Sequence, residues 1–299
     1  MPKATRPGKS FTLLSPAKLN LALQVVGREP DGFHLLNTLF ERIDLSDRMV
    51  FLPADKGIQL SCDHPGVPLD GRNLVVKAAL ALREETGVSR GARIRIIKKI
   101  PVAAGLAGGS SNAATALLGL NRLWDLKLPR ETLLRLARKI GSDVAFFLHD
   151  TPFARGTGRG DRIRPLEIAP RYWHVLITAK QPLLTKDVYE AYASRFLALN
   201  EAGLTIKSAD VTMLIRSLKN NDVPSVKRLL FNDLQGPIGV LRPALLKLKT
   251  RVERLAGTGV CFSGSGPSIF ALTATRAESE KIAAVFRRQY KQVFVVRTA

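Results

Sequence analysis

A glycine- and serine-rich segment in the first half of the chain has the composition of a phosphate-binding loop. It reads Pro101-Val-Ala-Ala-Gly-Leu-Ala-Gly-Gly-Ser-Ser-Asn112 and lies between a strand-like alternating pattern and an Ala/Leu-rich helical pattern. Glycines let the backbone approach a ligand closely. The free N–H groups and the dipole of a first helical turn favour an anion. The hydroxyls of Ser110 and Ser111 can add hydrogen bonds to phosphate or enter a magnesium shell.

A flexible turn with an ordinary serine cap would also contain glycines, and for an isolated glycine cluster it is the better explanation. The strand before, the helix after and the two serines at the junction favour anion binding. The class of anion site stays open, because no lysine follows the glycines as in G-x-x-x-x-G-K-[ST], and the dinucleotide pattern G-x-G-x-x-G is not matched.

Polar residues elsewhere are candidates for a reaction centre, although each has an ordinary structural explanation. The alternating segment Ala17–Val25 predicts a strand on which Lys18 and Asn20 share one face. By residue type alone, Lys18 is a solvated strand lysine, and Asp143 is as good an N-cap as a general base. His34 follows a Gly-Phe pair and is typical of a loop.

The pattern of apolar residues predicts interleaved strands and helices, which indicates an α+β class. Residues 11–100 are predicted to be mainly strands, including Arg93–Ile97, with a helix at Asn73–Glu85. Further helices are predicted at Ser110–Leu123, Arg130–Ile140, Thr185–Leu197, Ser208–Leu218, Val223–Phe231, Val240–Leu255 and Arg276–Tyr290. Further strands are predicted at Val260–Ser263, Ser268–Leu272 and Gln292–Arg297. We expect two closely packed domains, residues 1–175 and 176–299.

The charge balance is the unusual bulk property of this 299-residue chain. A net charge of +21 attracts polyanions, so nucleic acid is one candidate partner. The basic residues are scattered rather than gathered in a tail, and aromatic residues are only 6% of the chain, with no interleaving of stacking and basic side chains. A generally basic surface is therefore favoured over a nucleic-acid groove, and a phosphate-rich small substrate is also compatible.

Other bulk features favour a cytoplasmic protein. The basic segment Met1–Ser10 is not followed by the apolar region of a secretory signal. No apolar run approaches the ~20 residues that span a bilayer, so no membrane association is expected. Cys62 and Cys261 have neither metal-ligand spacing nor the density of a disulfide framework, which suits a reducing compartment.

Five blocks, in a fixed order over nearly the whole chain, carry a resemblance to a known family. They are Ser15–Leu21, Gly27–His34, Pro101–Ala114, Ile140–Phe147 and Gly259–Ser268. The third resembles the ATP loop of the GHMP kinases, the superfamily of galacto-, homoserine, mevalonate and phosphomevalonate kinases, and the fifth resembles its C-terminal glycine motif. The other three resemble the superfamily's 4-diphosphocytidyl-2-C-methyl-D-erythritol kinases.

The resemblance implies roles for individual residues. Asp143 is implied to take the proton of the substrate alcohol, with Lys18 keeping that carboxylate ionised and lowering the effective pKa of the hydroxyl. ATP is implied to bind at Pro101, Gly105, Leu106, Ala107, Gly108, Gly109, Ser110, Ser111 and Asn112, together with Mg²⁺, for which no protein ligand is assigned.

The cytidyl substrate is implied to bind at three positions: Phe33, His34 and Tyr189. Asn20 is a fourth candidate substrate-binding residue, because it shares the Lys18 face of the predicted strand. His34 is implied to hydrogen-bond the cytosine. Phe33 departs from the family, which commonly has tyrosine there; stacking needs only the ring face, whereas a contact through a phenol oxygen is lost. Tyr189 is implied to be a second aromatic against the base.

The implied architecture is a ribosomal S5 domain 2-like N-terminal domain and a smaller ferredoxin-like C-terminal domain, with the active site between them. The expected reaction transfers the γ-phosphate of ATP to the 2-hydroxyl of 4-diphosphocytidyl-2-C-methyl-D-erythritol, in the non-mevalonate isoprenoid pathway. Alternatives are a homoserine- or mevalonate-type kinase, which has no base to stack, and a nucleic-acid-binding protein. Partners are expected to be ATP and the cytidyl substrate but no nucleic acid, for a monomer or homodimer.

Overall fold

The computed structural model describes residues 10–181, 183–195 and 211–299. The strands are β1 (Phe11–Arg28), β2 (His34–Ala54), β3 (Ile58–Cys62), β4 (Gly91–Ile97), β5 (Phe153–Gly158), β6 (Arg162–Leu166), β7 (Trp173–Thr178), β8 (Phe231–Asn232), β9 (Val260–Phe262), β10 (Ser268–Thr273) and β11 (Gln292–Arg297). The helices are α1 (Leu74–Thr86), α2 (Gly108–Leu123), α3 (Arg130–Ile140), α4 (Thr185–Arg195), α5 (Val211–Lys219), α6 (Val223–Leu229), α7 (Gln235–Leu241), α8 (Pro243–Ala256) and α9 (Arg276–Arg287), with a 3-10 helix at Ala145–Leu148. This mixture confirms the α+β class.

The chain folds into two compact units, each built from separated stretches of sequence. Described residues of the first unit are 10–17, 45–102 and 108–150, and the second takes 18–44, 103–107 and the described residues from 151 onward. β1 and β2 therefore belong partly to each, in a sheet with the strand order β3-β4-β2-β1-β8. The predicted domain division after residue 175 falls inside β7 and stays a prediction.

In the first unit, β4 pairs with β3 in parallel and with the end of β2 in antiparallel orientation. α1 begins where Asn73 caps it, because the side-chain oxygen accepts a hydrogen bond from Val75 N at 2.9 Å, and it ends at Gly87 in the left-handed conformation. α2 packs closely on the sheet, since a Cβ on Gly119 would lie 2.4 Å from the Phe51 ring.

The second unit contains a separate four-stranded antiparallel sheet with the order β11-β7-β10-β9. In chain order these strands are the fourth, first, third and second, which is the ferredoxin-like arrangement. α9 connects β10 to β11 and packs its buried face, which includes Ile282 and Phe286, into the core. The predicted ferredoxin-like fold is therefore confirmed.

Several predicted helix boundaries are wrong, and a single proline explains the largest error. The predicted helix Val240–Leu255 is interrupted at Arg242, because Pro243 removes a backbone donor and restricts the preceding residue to extended conformations. The predicted helix Val223–Phe231 ends at Leu229, and Phe231 pairs with β1 instead. The ends of two predicted helices, residues 196–197 and 208–210, lie outside the described residues. No helix in the described part of the chain is long and apolar enough to cross a membrane.

Candidate active site

The glycine-rich loop has a backbone suited to binding an anion. Ala103, Gly105 and Ala107 have φ values of 52°, 73° and 53°, alternating with residues of negative φ. Alternating right- and left-handed residues form a concave backbone in which successive N–H groups converge on an anion. Because alanine in the left-handed region is strained, its occurrence at two positions in one loop is typical of a functional segment.

α2 begins directly after this loop and presents its N-terminus without a covering side chain at Gly109. A Cβ on Gly109 would meet nothing within 4 Å, whereas one on Gly108 would lie 3.1 Å from Ile100 Cγ2. A Cβ at 108 would therefore crowd the Ile100 side chain, whereas one at 109 would not. Ser110 is half-buried at this end of the 16-residue helix, where the dipole favours negative charge.

Ser111 and Asn112 face the interior of the first unit. Ser15 Oγ donates to Ser111 Oγ at 2.8 Å, and the Asn112 amide donates to Ser15 Oγ at 2.8 Å and to Asp47 Oδ2 at 3.0 Å. Both side chains are buried. Their side chains therefore fix the start of α2. Pro101 and Leu106 are buried too.

Asp47 holds the segment that enters the loop, and sequence reasoning missed it. This fully buried carboxylate accepts from the backbone N–H groups of Lys99 and Ile100, both at 2.8 Å, and from Lys98 Nζ at 2.5 Å. A buried carboxylate is stable only when its charge is compensated in this way. The available signal was its place in the alternation, because Asp47 takes the inward phase that Ile43, Leu45 and Met49 share.

Lys18 is bonded directly to the glycine-rich loop within the second unit. Its side chain is only 3% exposed, and Nζ donates to the Gly105 carbonyl at 3.1 Å and to Asn20 Oδ1 at 2.5 Å. Asn20 is held in turn, because its amide donates to Thr38 Oγ1 at 2.8 Å. The interpretation of Lys18 as a solvated strand lysine is therefore wrong, and Asn20 has the geometry of a residue that orients the ammonium group.

The C-terminal glycine motif packs against the same loop. Ser263 Oγ donates to the Gly105 carbonyl at 2.9 Å, and a Cβ on Gly105 would lie 2.0 Å from the Ser263 carbonyl oxygen. Asn232 supports this contact by donating to the carbonyls of Phe262 and Gly264 at 2.9 and 2.8 Å. Only glycine fits at 105, and sequence analysis did not identify Ser263 or Asn232 as individual contributors.

Asp143 lies in the tight turn between α3 and the 3-10 helix. Val144 N donates to the Gly141 carbonyl at 3.1 Å, and Asp143 is half-buried. The N-cap position of the 3-10 helix is occupied by Val144, without a side-chain cap. Asp143 therefore directly precedes the N-cap position instead of occupying it.

His34 and Tyr189 come together in the second unit. Their ring centroids are 5.0 Å apart at an interplanar angle of 33°, and Tyr192 meets His34 edge-on at 5.9 Å. The buried Nε2 of His34 has no hydrogen-bond partner among the described residues. Burial, and secondarily the charge of Arg28, lower the pKa of His34 below its usual value, so its imidazole is neutral near pH 7.

Phe33 keeps a large part of its ring accessible, with 54% of the residue exposed. The guanidinium of Arg159 lies over this ring, 4.2 Å from its centroid. Arg159 falls in the basic stretch Arg155–Arg164, which sequence analysis noted only as scattered surface charge.

No protein-only metal site is present in the described ranges, because they contain no group of three or more His, Cys, Asp or Glu residues able to hold an ion. Magnesium that accompanies a nucleotide typically binds through phosphate oxygens and water with one or two protein oxygens. Ser110, half-buried at the start of α2, carries a hydroxyl of the kind that can supply such an oxygen.

Comparison with known proteins gives a consistent result over the length of the chain. The family model for the GHMP kinases N terminal domain matches residues 73–151, and that for GHMP kinases C terminal matches residues 214–292. The 4-diphosphocytidyl-2-C-methyl-D-erythritol kinase of Pelotomaculum thermopropionicum is 37% identical over 96% of this chain and 98% of its own. That of Geobacillus kaustophilus is 38% identical over 96% of each chain.

Solved structures agree with these matches. A crystal structure of 4-(cytidine 5'-diphospho)-2C-methyl-D-erythritol kinase superposes with a TM-score of 0.80 at 33% identity, covering 96% of this chain and 98% of its own. The homoserine kinase of Cytophaga hutchinsonii superposes with a TM-score of 0.78 at 21% identity, covering 99% and 96% of the two chains. At that identity the second likeness shows the fold alone.

Proposed function

The chain belongs to the 4-diphosphocytidyl-2-C-methyl-D-erythritol kinases of the GHMP superfamily, and from this membership we propose how its residues divide the work of phosphoryl transfer. Like its relatives it is an ATP-dependent small-molecule kinase of isoprenoid precursor synthesis. We place the transfer at the 2-hydroxyl of the methylerythritol moiety. The enzyme acts as a monomer or homodimer in the cytoplasm, a location that its free Cys62 and Cys261 suit.

The observation that carries this proposal is the shared Gly105 carbonyl. It accepts hydrogen bonds from Lys18 Nζ and Ser263 Oγ, so one loop connects a buried cation with the C-terminal glycine motif. Phosphoryl transfer demands positioning and charge neutralisation more than covalent participation. The loop's left-handed backbone and the start of α2 supply N–H groups for the phosphates, and Lys18 supplies positive charge.

Asp143 and Lys18 are the proposed catalytic residues. Asp143 accepts the proton of the substrate hydroxyl as the oxygen forms its bond to the γ-phosphorus, and the bond from that phosphorus to the bridging oxygen of ADP breaks. Lys18 stabilises the developing charge on the attacking oxygen. Ser110 would hold magnesium through its hydroxyl oxygen, and the ion, when bound with ATP, would neutralise charge on the phosphates.

The aromatic group of the second unit is proposed to hold the cytosine. Phe33 offers an exposed ring face for stacking, and Tyr189 lies beside His34 as a second aromatic surface. The unpartnered Nε2 of neutral His34 is free to hydrogen-bond the base edge. Leaving this nitrogen buried and unpaired costs free energy that a bound base would recover.

A substrate panel tests the proposed function. The purified enzyme is assayed with ATP against 4-diphosphocytidyl-2-C-methyl-D-erythritol, homoserine and mevalonate, each over a concentration range. We expect kcat/KM for the cytidyl substrate to exceed the other two by at least about 10³-fold, because buried groups that pair with a base are left unpaired by the competitors. Comparable turnover of homoserine or mevalonate would reject the substrate assignment, although the protein would still be a GHMP kinase.

A further inference from the structure

The turn that carries Phe33 is tied to a second segment by one arginine. Arg159 lies between β5 and β6, and Nε donates to Glu29 Oε2 at 2.5 Å while its terminal nitrogen bonds Asp31. The same guanidinium covers one face of the Phe33 ring at 4.2 Å. One side chain therefore contacts three residues of the turn that joins β1 to β2.

Arg159 is itself held in a defined position. Its backbone N–H donates to Asp161 Oδ1 at 3.1 Å, and Gly160 N donates to the Thr157 carbonyl at 3.1 Å, which closes the turn between the strands. Gly158 and Gly160 adopt φ values of 66° and 88°. This tight turn restricts where the guanidinium can lie, so it acts as a fixed plane rather than as a freely moving surface cation.

The turn's own hydrogen bonds do not fix the Phe33 side chain. Glu29 N donates to the Phe33 carbonyl at 2.7 Å, and Phe33 N donates to Asp31 Oδ1 at 3.2 Å, so its backbone is determined locally. The ring is 54% exposed and would sample other rotamers without a neighbour. The guanidinium plane, which stacks on an aromatic face more effectively than an ammonium does, limits this freedom.

We propose that Arg159 is a positioning residue for cytosine recognition: it holds Phe33 from one side so that the opposite ring face is presented to the base. This inference rests on the proposed function, since it takes Phe33 as part of the cytidyl site. A side chain that spends part of its time in a conformation unable to bind lowers the affinity in proportion to that time. Holding the Phe33 ring in its binding conformation removes this loss of affinity. Arg159 is 37% exposed at its side chain, so its replacement is expected to leave the fold intact.

The test compares Arg159→Ala, Arg159→Lys and the control Arg164→Ala, which removes an exposed arginine of neighbouring β6. Dissociation constants are measured for cytidine and for cytidine diphosphate, with kcat, the KM for each substrate and the melting temperature. For Arg159→Ala we expect the dissociation constants of both ligands and the KM for the cytidyl substrate to rise by about fivefold to twentyfold. The variant loses one cation–π contact and two exposed ion pairs. We expect kcat, the KM for ATP and the melting temperature to stay near wild type.

Arg159→Lys is expected to lie between wild type and alanine, because an ammonium keeps the attraction to Glu29 and Asp31 but offers no planar face. Arg164→Ala should match wild type. Unchanged cytidine binding in Arg159→Ala would overturn the proposal, as would weakening confined to cytidine diphosphate, which would make Arg159 a phosphate ligand. If Arg159→Ala and Arg159→Lys both also lost ATP affinity and melting temperature, Arg159 would be shown only to stabilise the fold. Failure of the wild type to bind cytidine would refute the proposed function itself, which is a separate result.

Discussion

At the scale of single residues, the buried ammonium of Lys18 is the feature that most strongly connects sequence to chemistry. This lysine is 3% exposed, and its ammonium group donates to two oxygen acceptors, Asn20 Oδ1 and the Gly105 carbonyl. Burying such a group costs free energy unless hydrogen bonds and charge compensation offset the loss of water, and buried ionisable groups often mark functional sites. The two acceptors aim the charge at the segment proposed to hold ATP.

Replacing Lys18 and its orienting partner should give two different kinetic signatures. Lys18→Met should lower kcat by about 10²-fold or more with a small effect on the cytidyl KM, since it removes charge needed in the transition state. Asn20→Ala should lower kcat by about tenfold for the same reason, acting through the lysine. Steady-state kinetics decide, and an Asn20→Ala variant with raised KM but normal kcat would instead make Asn20 a substrate ligand.

The neutrality of His34 predicts how substrate binding depends on pH. Because burial lowers the pKa of His34, the imidazole gains a proton only when the pH falls below that reduced value. The cytidyl KM should therefore be constant from about pH 9 to about pH 7 and should rise on acidification towards about pH 5, as the charged ring meets Arg28. The cytidyl KM of the His34→Gln variant should not change over the same pH range. A wild-type KM that already rises above pH 7 would contradict the assignment of a neutral His34.

At the scale of elements, the loop between β4 and α2 is defined by contacts that a sequence displays only in part. The strand Arg93–Ile97 and the helix after the glycines were predictable, because alternation and Ala/Leu periodicity are local. Asp47, Ser263 and Asn232 were not, because their partners lie 50 or more residues away or are backbone carbonyls that any sequence possesses. The break before Pro243 was visible but was outweighed by the surrounding periodicity.

Substitutions at two glycines of the loop should distinguish a glycine needed for packing from one needed for ligand binding. Gly105→Ala should destabilise the protein by at least about 2 kcal/mol, because its φ is 73° and a Cβ would overlap the Ser263 carbonyl oxygen. Gly109→Ala meets no protein atom within 4 Å, so we expect normal stability with a raised KM for ATP. Denaturant unfolding and ATP kinetics measure both. Equal stability of the two variants would contradict the close approach at Gly105.

The connection between β1 and β8 should make stability depend on pH. Asp233 Oδ2 accepts from Val25 N at 2.8 Å, and burial raises the pKa of Asp233 to about 6. The folded state therefore holds the proton more tightly than the unfolded chain does, whose aspartate titrates near 3.9. This contribution to stability is present below about pH 4 and is lost as the pH rises through about 6.

Asp233→Asn removes the charge but keeps an oxygen for the Val25 N–H. We expect it to be more stable than wild type at pH 7, by at most about 3 kcal/mol, with the difference shrinking towards pH 4. Urea unfolding of both proteins at matched pH values measures the difference. A difference that is the same at pH 4 and pH 7 would show that Asp233 titrates normally.

At the scale of the whole molecule, the net charge of +21 belongs with substrates that both carry phosphates. A positive field raises the encounter rate of small anions, and salt screens it over a Debye length of about 8 Å at physiological ionic strength. We expect kcat/KM for the cytidyl substrate to fall as potassium chloride is raised, with kcat nearly constant. Saturable RNA binding at physiological salt that inhibits the kinase would instead assign the charge to nucleic acid.

The most direct test of the central claim is ³¹P NMR of the reaction of ATP with 4-diphosphocytidyl-2-C-methyl-D-erythritol, run with wild type and with Asp143→Asn. We expect wild type to form one new phosphate monoester on the 2-oxygen, in equal amount to ADP, with the cytidyl diphosphate intact. We expect the same product from Asp143→Asn at a rate lower by about 10²-fold or more, because the proton acceptor is gone. Wild-type rates in Asp143→Asn, or ADP formation without a new ester on that oxygen, would contradict it.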